Sequence, residues 1–142
     1  MSHRFLAPLA RTALTLLVLT GCADSSGTTA PPSSEPACRA PGAAILPHTD
    51  GTLTEDDNGA RVCLAEGRTI AVFLNARSTD ARTFWEPITA QPSSAVRRGS
   101  NGAMTLPIGV TAALFTTTAV GDVHLASRRG SGGTWAATLV VH

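Results

Sequence analysis

Short apolar runs that alternate with polar residues recur through the second half of the chain, and turn residues punctuate them roughly every 8 to 14 positions. Few folds accept that pattern. Thr69 to Leu74 sets the type: Ile70, Val72 and Leu74 fall at period two, so one face of the segment is apolar, and Glu66-Gly67 and Asn75 bound it. Arg61 to Leu64 precedes it after the turn signal Asn58-Gly59. Arg82 to Ile88, Ala95 to Arg98, Val110 to Thr118, Val123 to Ser127 and Thr134 to Val141 follow as further strand candidates. Pro92, Gly99 to Gly102, Gly121-Asp122 and Gly130 to Gly133 mark the turns between them. No 11-residue window carries a helical stripe.

About seven short strands without helix predict an all-β domain, an antiparallel immunoglobulin-like β-sandwich over residues 37–142. Val123, Leu125, Trp135, Ala137, Leu139 and Val141 are expected to face inward and His124 outward. The Arg128-Arg129-Gly130-Ser131-Gly132-Gly133 segment reads as the tip of a final hairpin.

The N-terminal third has a different logic. Arg4 and Arg11 precede the apolar run Ala13 to Thr20, which is less than half the roughly 20 residues a helix needs to span a bilayer. A basic region, a short apolar region and a small residue before Cys22 describe an export signal over 1–21. Leu19-Thr20-Gly21-Cys22 resembles the lipobox of bacterial lipoproteins, here of actinobacterial type, which implies cleavage before Cys22 and acylation of its sulfur with palmitate-like chains. Removing the first 21 of 142 residues leaves 121, with nine arginines against ten acids. Residues 22–36, the lipidated Cys followed by ADSSGTTAPPSSEP, hold too few large apolar side chains to offset the entropy of ordering and read as a disordered Ser/Thr/Pro tether. The expected location is the extracytoplasmic face of the cell membrane, reached by export and held by lipid. Two thiols then remain, Cys38 and Cys63, 25 positions apart in an oxidising compartment, and a disulfide or two buried free thiols both fit them.

Charge excludes one class of function. With 11 Lys+Arg against 10 Asp+Glu, a formal net charge of +1 and no basic cluster beyond doublets, the chain lacks the concentrated positive charge that nucleic acid requires. Enzyme signatures are missing as well: there is no GxSxG, no HExxH and no paired Cys/His spacing, and His48, His124 and His142 stand apart. No catalytic residue, metal or cofactor is assigned. His48 beside Asp50 reads as exposed loop, and Glu55-Asp56-Asp57-Asn58-Gly59 reads as turn chemistry more simply than as a calcium loop.

Leu64 to Leu74, then a polar loop, Phe84-Trp85, Ala112 to Gly121 and Val123-His124-Leu125 together resemble chagasin-type cysteine-peptidase inhibitors over residues 61–142. That resemblance implies an immunoglobulin-like sandwich that plugs a papain-like cleft with three loops bearing NPTTGY-like, GxG and RPW-like motifs. In the first loop Asn75 and Trp85 suit the pattern, while the Pro and the Gly-aromatic pair are missing. Leu106-Pro107-Ile108-Gly109 keeps one glycine of two, and Arg128-Arg129-Gly130 to Trp135 has arginines and a Trp without Arg-Pro-Trp. The candidate partner-binding residues are therefore Asn75, Arg77, Trp85, Gly109, Arg128, Arg129 and Trp135. Trp135 also fits a core position, and Trp85 fits either a core plug or an exposed anchor. The expected function is that of a membrane-anchored, non-catalytic binding or structural module. Its partner would be a protein or a cell-wall ligand, and peptidase inhibition is the alternative.

Overall fold

Eight strands and no α-helix make up the regular structure of a computed structural model that describes residues 37–100 and 105–142, all within the unit Ser34–His142. The strands are β1 (Gly51–Thr54), β2 (Arg61–Leu64), β3 (Thr69–Asn75), β4 (Thr89–Gln91), β5 (Val96–Gly99), β6 (Val110–Thr117), β7 (Gly121–Arg128) and β8 (Thr134–Val141). The signal peptide, the acylated Cys22 and the tether assigned to 1–36 lie outside the described residues.

The strands form two four-stranded sheets, ordered β1-β3-β6-β5 and β2-β8-β7-β4, packed as a sandwich. The alternation read from sequence is what fills it. Ile70, Val72 and Leu74 from one sheet and Val123, Leu125 and Leu139 from the other are fully buried, and His124 faces solvent. Trp135 is 1% exposed, and its indole N–H donates to Thr54 O at 2.9 Å, joining β8 of one sheet to the end of β1 in the other.

Three details depart from expectation. The segment 82–88 is not a strand: Asp80 caps a 3-10 turn over Ala81–Thr83, accepting from Arg82 N at 3.0 Å, and Pro87 has no N–H to give a ladder. Trp85 makes only a single bridge, to Arg129, and the strand proper begins at Thr89. β1, which carries one aliphatic side chain, Leu53, went unrecognised in the sequence. Finally, β1 pairs with β3 and β2 with β8 in parallel, so each sheet is antiparallel except at one edge. Consecutive strands β1, β2 and β3 alternate between the sheets, and that crossing brings β1 alongside β3 in the same direction.

Cys38 and Cys63 form a disulfide, with Cα atoms 5.2 Å apart. Around it Arg39 N donates to Arg61 O at 2.9 Å and Cys63 N to Arg39 O at 2.8 Å, and a few residues on Thr52 N donates to Gly42 O at 3.0 Å. The first described segment thus touches the edge strand of each sheet. Closing a loop of 25 residues stabilises by about 3 kcal/mol in the chain-entropy account. Cys38→Ser/Cys63→Ser is accordingly expected to lower the unfolding free energy measured in urea by that amount, with the far-UV signature unchanged; an unaltered midpoint would contradict it. Among the described residues no helix is long and apolar enough to cross a membrane.

Candidate functional site

The three loops singled out in the sequence meet at one end of the sandwich, because the strands that launch them are neighbours. Asn75, the last residue of β3, pairs with Val110, the first of β6, so the 76–88 loop and the 105–109 segment leave from one ladder position. The β7–β8 hairpin ends at the Arg128–Thr134 pair, and its 129–133 tip lies over the first loop. Backbone groups close the joints: Ala76 N donates to Gly109 O at 2.8 Å and Glu86 N to Arg128 O at 2.8 Å. Ser127 Oγ gives a further bond to Glu86 O at 2.7 Å, and Thr111 Oγ1 one to Trp85 O at 2.7 Å.

Two glycines allow this closeness. Gly109 has φ +84°, and a Cβ there would stand 2.6 Å from Ser78 O. A Cβ on Gly130 would overlap Arg82 O, so the third loop passes directly against the backbone of the first. Arg129 locks the arrangement. Its Nη2 donates to Ala76 O at 2.8 Å and to Asn75 O at 3.3 Å, while its guanidinium sits 4.6 Å above the Trp85 ring. One side chain thereby ties the third loop to both ends of the first.

What this end offers a partner is a mixed surface. Ile108 is 75% exposed, one of three large hydrophobic residues in the described chain left open, and Asn75, Arg77, Pro107 and Arg128 are exposed as well. Trp85 and Arg129 are half-buried. Two proposed contact residues do not belong to the surface: Gly109 is buried and acts through its backbone, and Trp135 is core, where a side chain sealed between two sheets cannot meet a partner. Ile108, Gly130 and Arg82 lie in the marked loops without being named there as contact residues, and Glu55 was read as turn chemistry. An aliphatic residue after a proline in a loop was the available signal for Ile108; the contacts of the other three are long-range and leave no local signal.

Charge at this end is divided. Arg77 pairs with Glu55 at 3.2 Å and Arg82 with Asp80 at 2.8 Å, whereas Arg128 and Arg129 have no carboxylate within ion-pair distance among the described residues. Burial works to raise the Glu55 pKa, but hydrogen bonds from its own amide, from the Asn75 N–H and from Arg77, with the charge of Arg77, outweigh it and hold the carboxyl below its ordinary value. A carboxylate depressed in the folded state adds stability above its unfolded pKa and loses it as pH falls through the folded one. Glu55→Gln is therefore expected to flatten the loss of stability below about pH 4.3 and to matter less at low pH than at neutrality. Thermal melts of both forms between neutral and acid pH check this; parallel curves would contradict it.

The acidic stretch is used internally. Thr54 and Asp57 form a capping box around Glu55–Asp57, and Asp57 also pairs with Arg39. Asp50 is held by Arg68 at 3.0 Å and Thr69 N at 2.8 Å, and its carboxylate is engaged there rather than with His48. Among the described residues no group of three or more His, Cys, Asp or Glu could hold a metal ion.

No family model matches the chain, and no curated protein matches it. Solved structures do. The crystal structure of the cysteine protease inhibitor EhICP2 from Entamoeba histolytica superposes with TM-score 0.52 at 14% identity, over 64% of this chain and 93% of that one. The solution structure of amebosin gives TM-score 0.38 at 20% identity, over 68% and 100%. PbICP-C, solved in complex with falcipain-2, gives 0.36 at 10%, over 70% and 94%. The likeness to EhICP2 is one of fold alone: an all-β, immunoglobulin-like sandwich of two sheets.

Proposed function

We propose that the chain is an exported lipoprotein whose sandwich acts by binding rather than by chemistry, and that its loop-bearing end plugs the cleft of a papain-family cysteine peptidase. The observation that carries this reading is the wedge itself. Arg129 clamps the third loop onto the first, the Ala76 N–Gly109 O bond joins the second to it, and Ile108 and the charge of Arg128 stand open at the surface. A binding element ordered in advance loses little conformational entropy on docking. The sandwich likeness to EhICP2, a cysteine protease inhibitor, supports the same choice of partner. The main alternative, a binding or structural module of the envelope with a cell-wall ligand, is favoured by the altered motifs, since Asn75 is not followed by Pro and the second loop keeps only Gly109.

Titrating papain hydrolysis of a small peptide substrate with the purified protein separates the two. Inhibition at submicromolar concentration is expected, and a flat activity trace would remove the inhibitor reading and leave the envelope module. Residues 1–21 act in this account as signal peptide and 22–36 as lipidated tether. Mass spectrometry of the membrane-derived protein should find an acylated Cys22 as its first residue; an intact Met1 without fatty acid would overturn the anchor.

A further inference from the structure

A second concavity lies on the open side of the sandwich. β4 and β5 are edge strands of different sheets and no ladder joins them; between them runs a slot of about 370 Å³, a size that small-molecule sites favour. Its floor is apolar, formed by Ala90, Val96 and Phe115, of which Phe115 is 2% exposed and belongs to the core. Its rim is polar, with Thr89, Gln91 and Arg98.

Arg98 distinguishes this slot from a packing defect. Its guanidinium lies 5.6 Å over the Phe115 ring, and Nη1 donates to Ile88 O at 2.8 Å. Among the described residues its other N–H groups have no hydrogen-bond partner and no carboxylate lies within ion-pair distance. Arg39, Arg61, Arg68, Arg77 and Arg82 all have one; Arg97, Arg128 and Arg129 lack one among the described residues, as Arg98 does, but none of them lines the slot. A guanidinium held by one bond at the mouth of an apolar slot presents its remaining donors as a fork matched to a carboxylate. At the packing density of protein interiors the space behind it takes roughly ten to fifteen carbon-sized atoms. We propose that this slot binds a small monocarboxylate with an apolar tail, the carboxylate on Arg98 and the tail against Phe115. The proposal stands apart from the peptidase reading, since the slot shares no residue with the three loops.

Octanoate and 1-octanol, which have the same tail and different heads, are suitable probes for titration of the purified protein by two-dimensional NMR. Octanoate should shift the amides of Ala90, Val96 and Phe115 saturably and bind at least tenfold more tightly than octanol. Arg98→Gln should erase that preference, while Arg97→Gln, on the opposite face of β5, should keep it. Equal affinity for the two probes, shifts confined to other regions, absence of saturable shifts, or an Arg98→Gln protein that still prefers octanoate would each overturn the proposal. The comparison of probes needs no variant, so it decides the matter even where Arg98→Gln does not fold.

Discussion

Trp135→Ala is expected to lower stability by about 3 to 5 kcal/mol, a large part of the roughly 5 to 15 kcal/mol that a domain of this size has. The side chain is 1% exposed and is the largest fully buried one among the described residues, so its removal opens a large cavity in the core. It also leaves Thr54 O without the indole donor that joins the two sheets. Trp135→Phe keeps most of the volume and loses the hydrogen bond, and should recover all but about 1 to 2 kcal/mol. Urea unfolding followed by circular dichroism measures both. A Trp135→Ala loss under about 1 kcal/mol would mean that this residue does not anchor the core.

Gly130→Val is expected to leave the sandwich standing and to weaken partner binding by about a hundredfold or more, near 2.7 kcal/mol. Its new Cβ would overlap Arg82 O, so the hairpin tip must lift off the first loop. Lifting breaks the Trp85–Arg129 bridge and pulls the Arg129 guanidinium from Ala76 O and Asn75 O. The wedge then opens into separate loops, and their ordering must be met again on binding. Losing those contacts should lower the unfolding free energy by about 1 to 3 kcal/mol, which leaves the sandwich folded. Ser131→Ala, in the same tip and without such a contact, should inhibit papain as the parent does. Full inhibition by Gly130→Val would show that the clamped arrangement is dispensable.

Much of the sandwich is readable in the chain because β6, β7 and β8 bury alternate residues over eight positions, and β3 places its large aliphatics Ile70, Val72 and Leu74 at period two although Ala71 is buried as well. β1 and β4 have four and three residues, and each buries only one aliphatic or alanine side chain against the core, too short a run for a periodic signal. Thr83, Trp85 and Pro87 mimic alternation, yet Asp80 captures the backbone locally and Pro87 denies it a ladder. Parallel pairing of β1 with β3 depends on a chain crossing between sheets, which no local pattern encodes. At the loop end the arginines and Trp85 could be picked out as types. The part Arg129 plays could not, since the carbonyls it holds lie 53 and 54 residues away. Gly109 was noticed for a motif it half keeps; its requirement is the Ser78 carbonyl facing it.

The central claim is that the loop end enters a peptidase cleft, and competition within that cleft tests it most directly. Binding of the purified protein to papain should be measured before and after a small covalent ligand fills the active site. The account predicts submicromolar affinity for the free enzyme and at least a hundredfold loss for the blocked one. Equal affinity for both forms, or none for either, would contradict it.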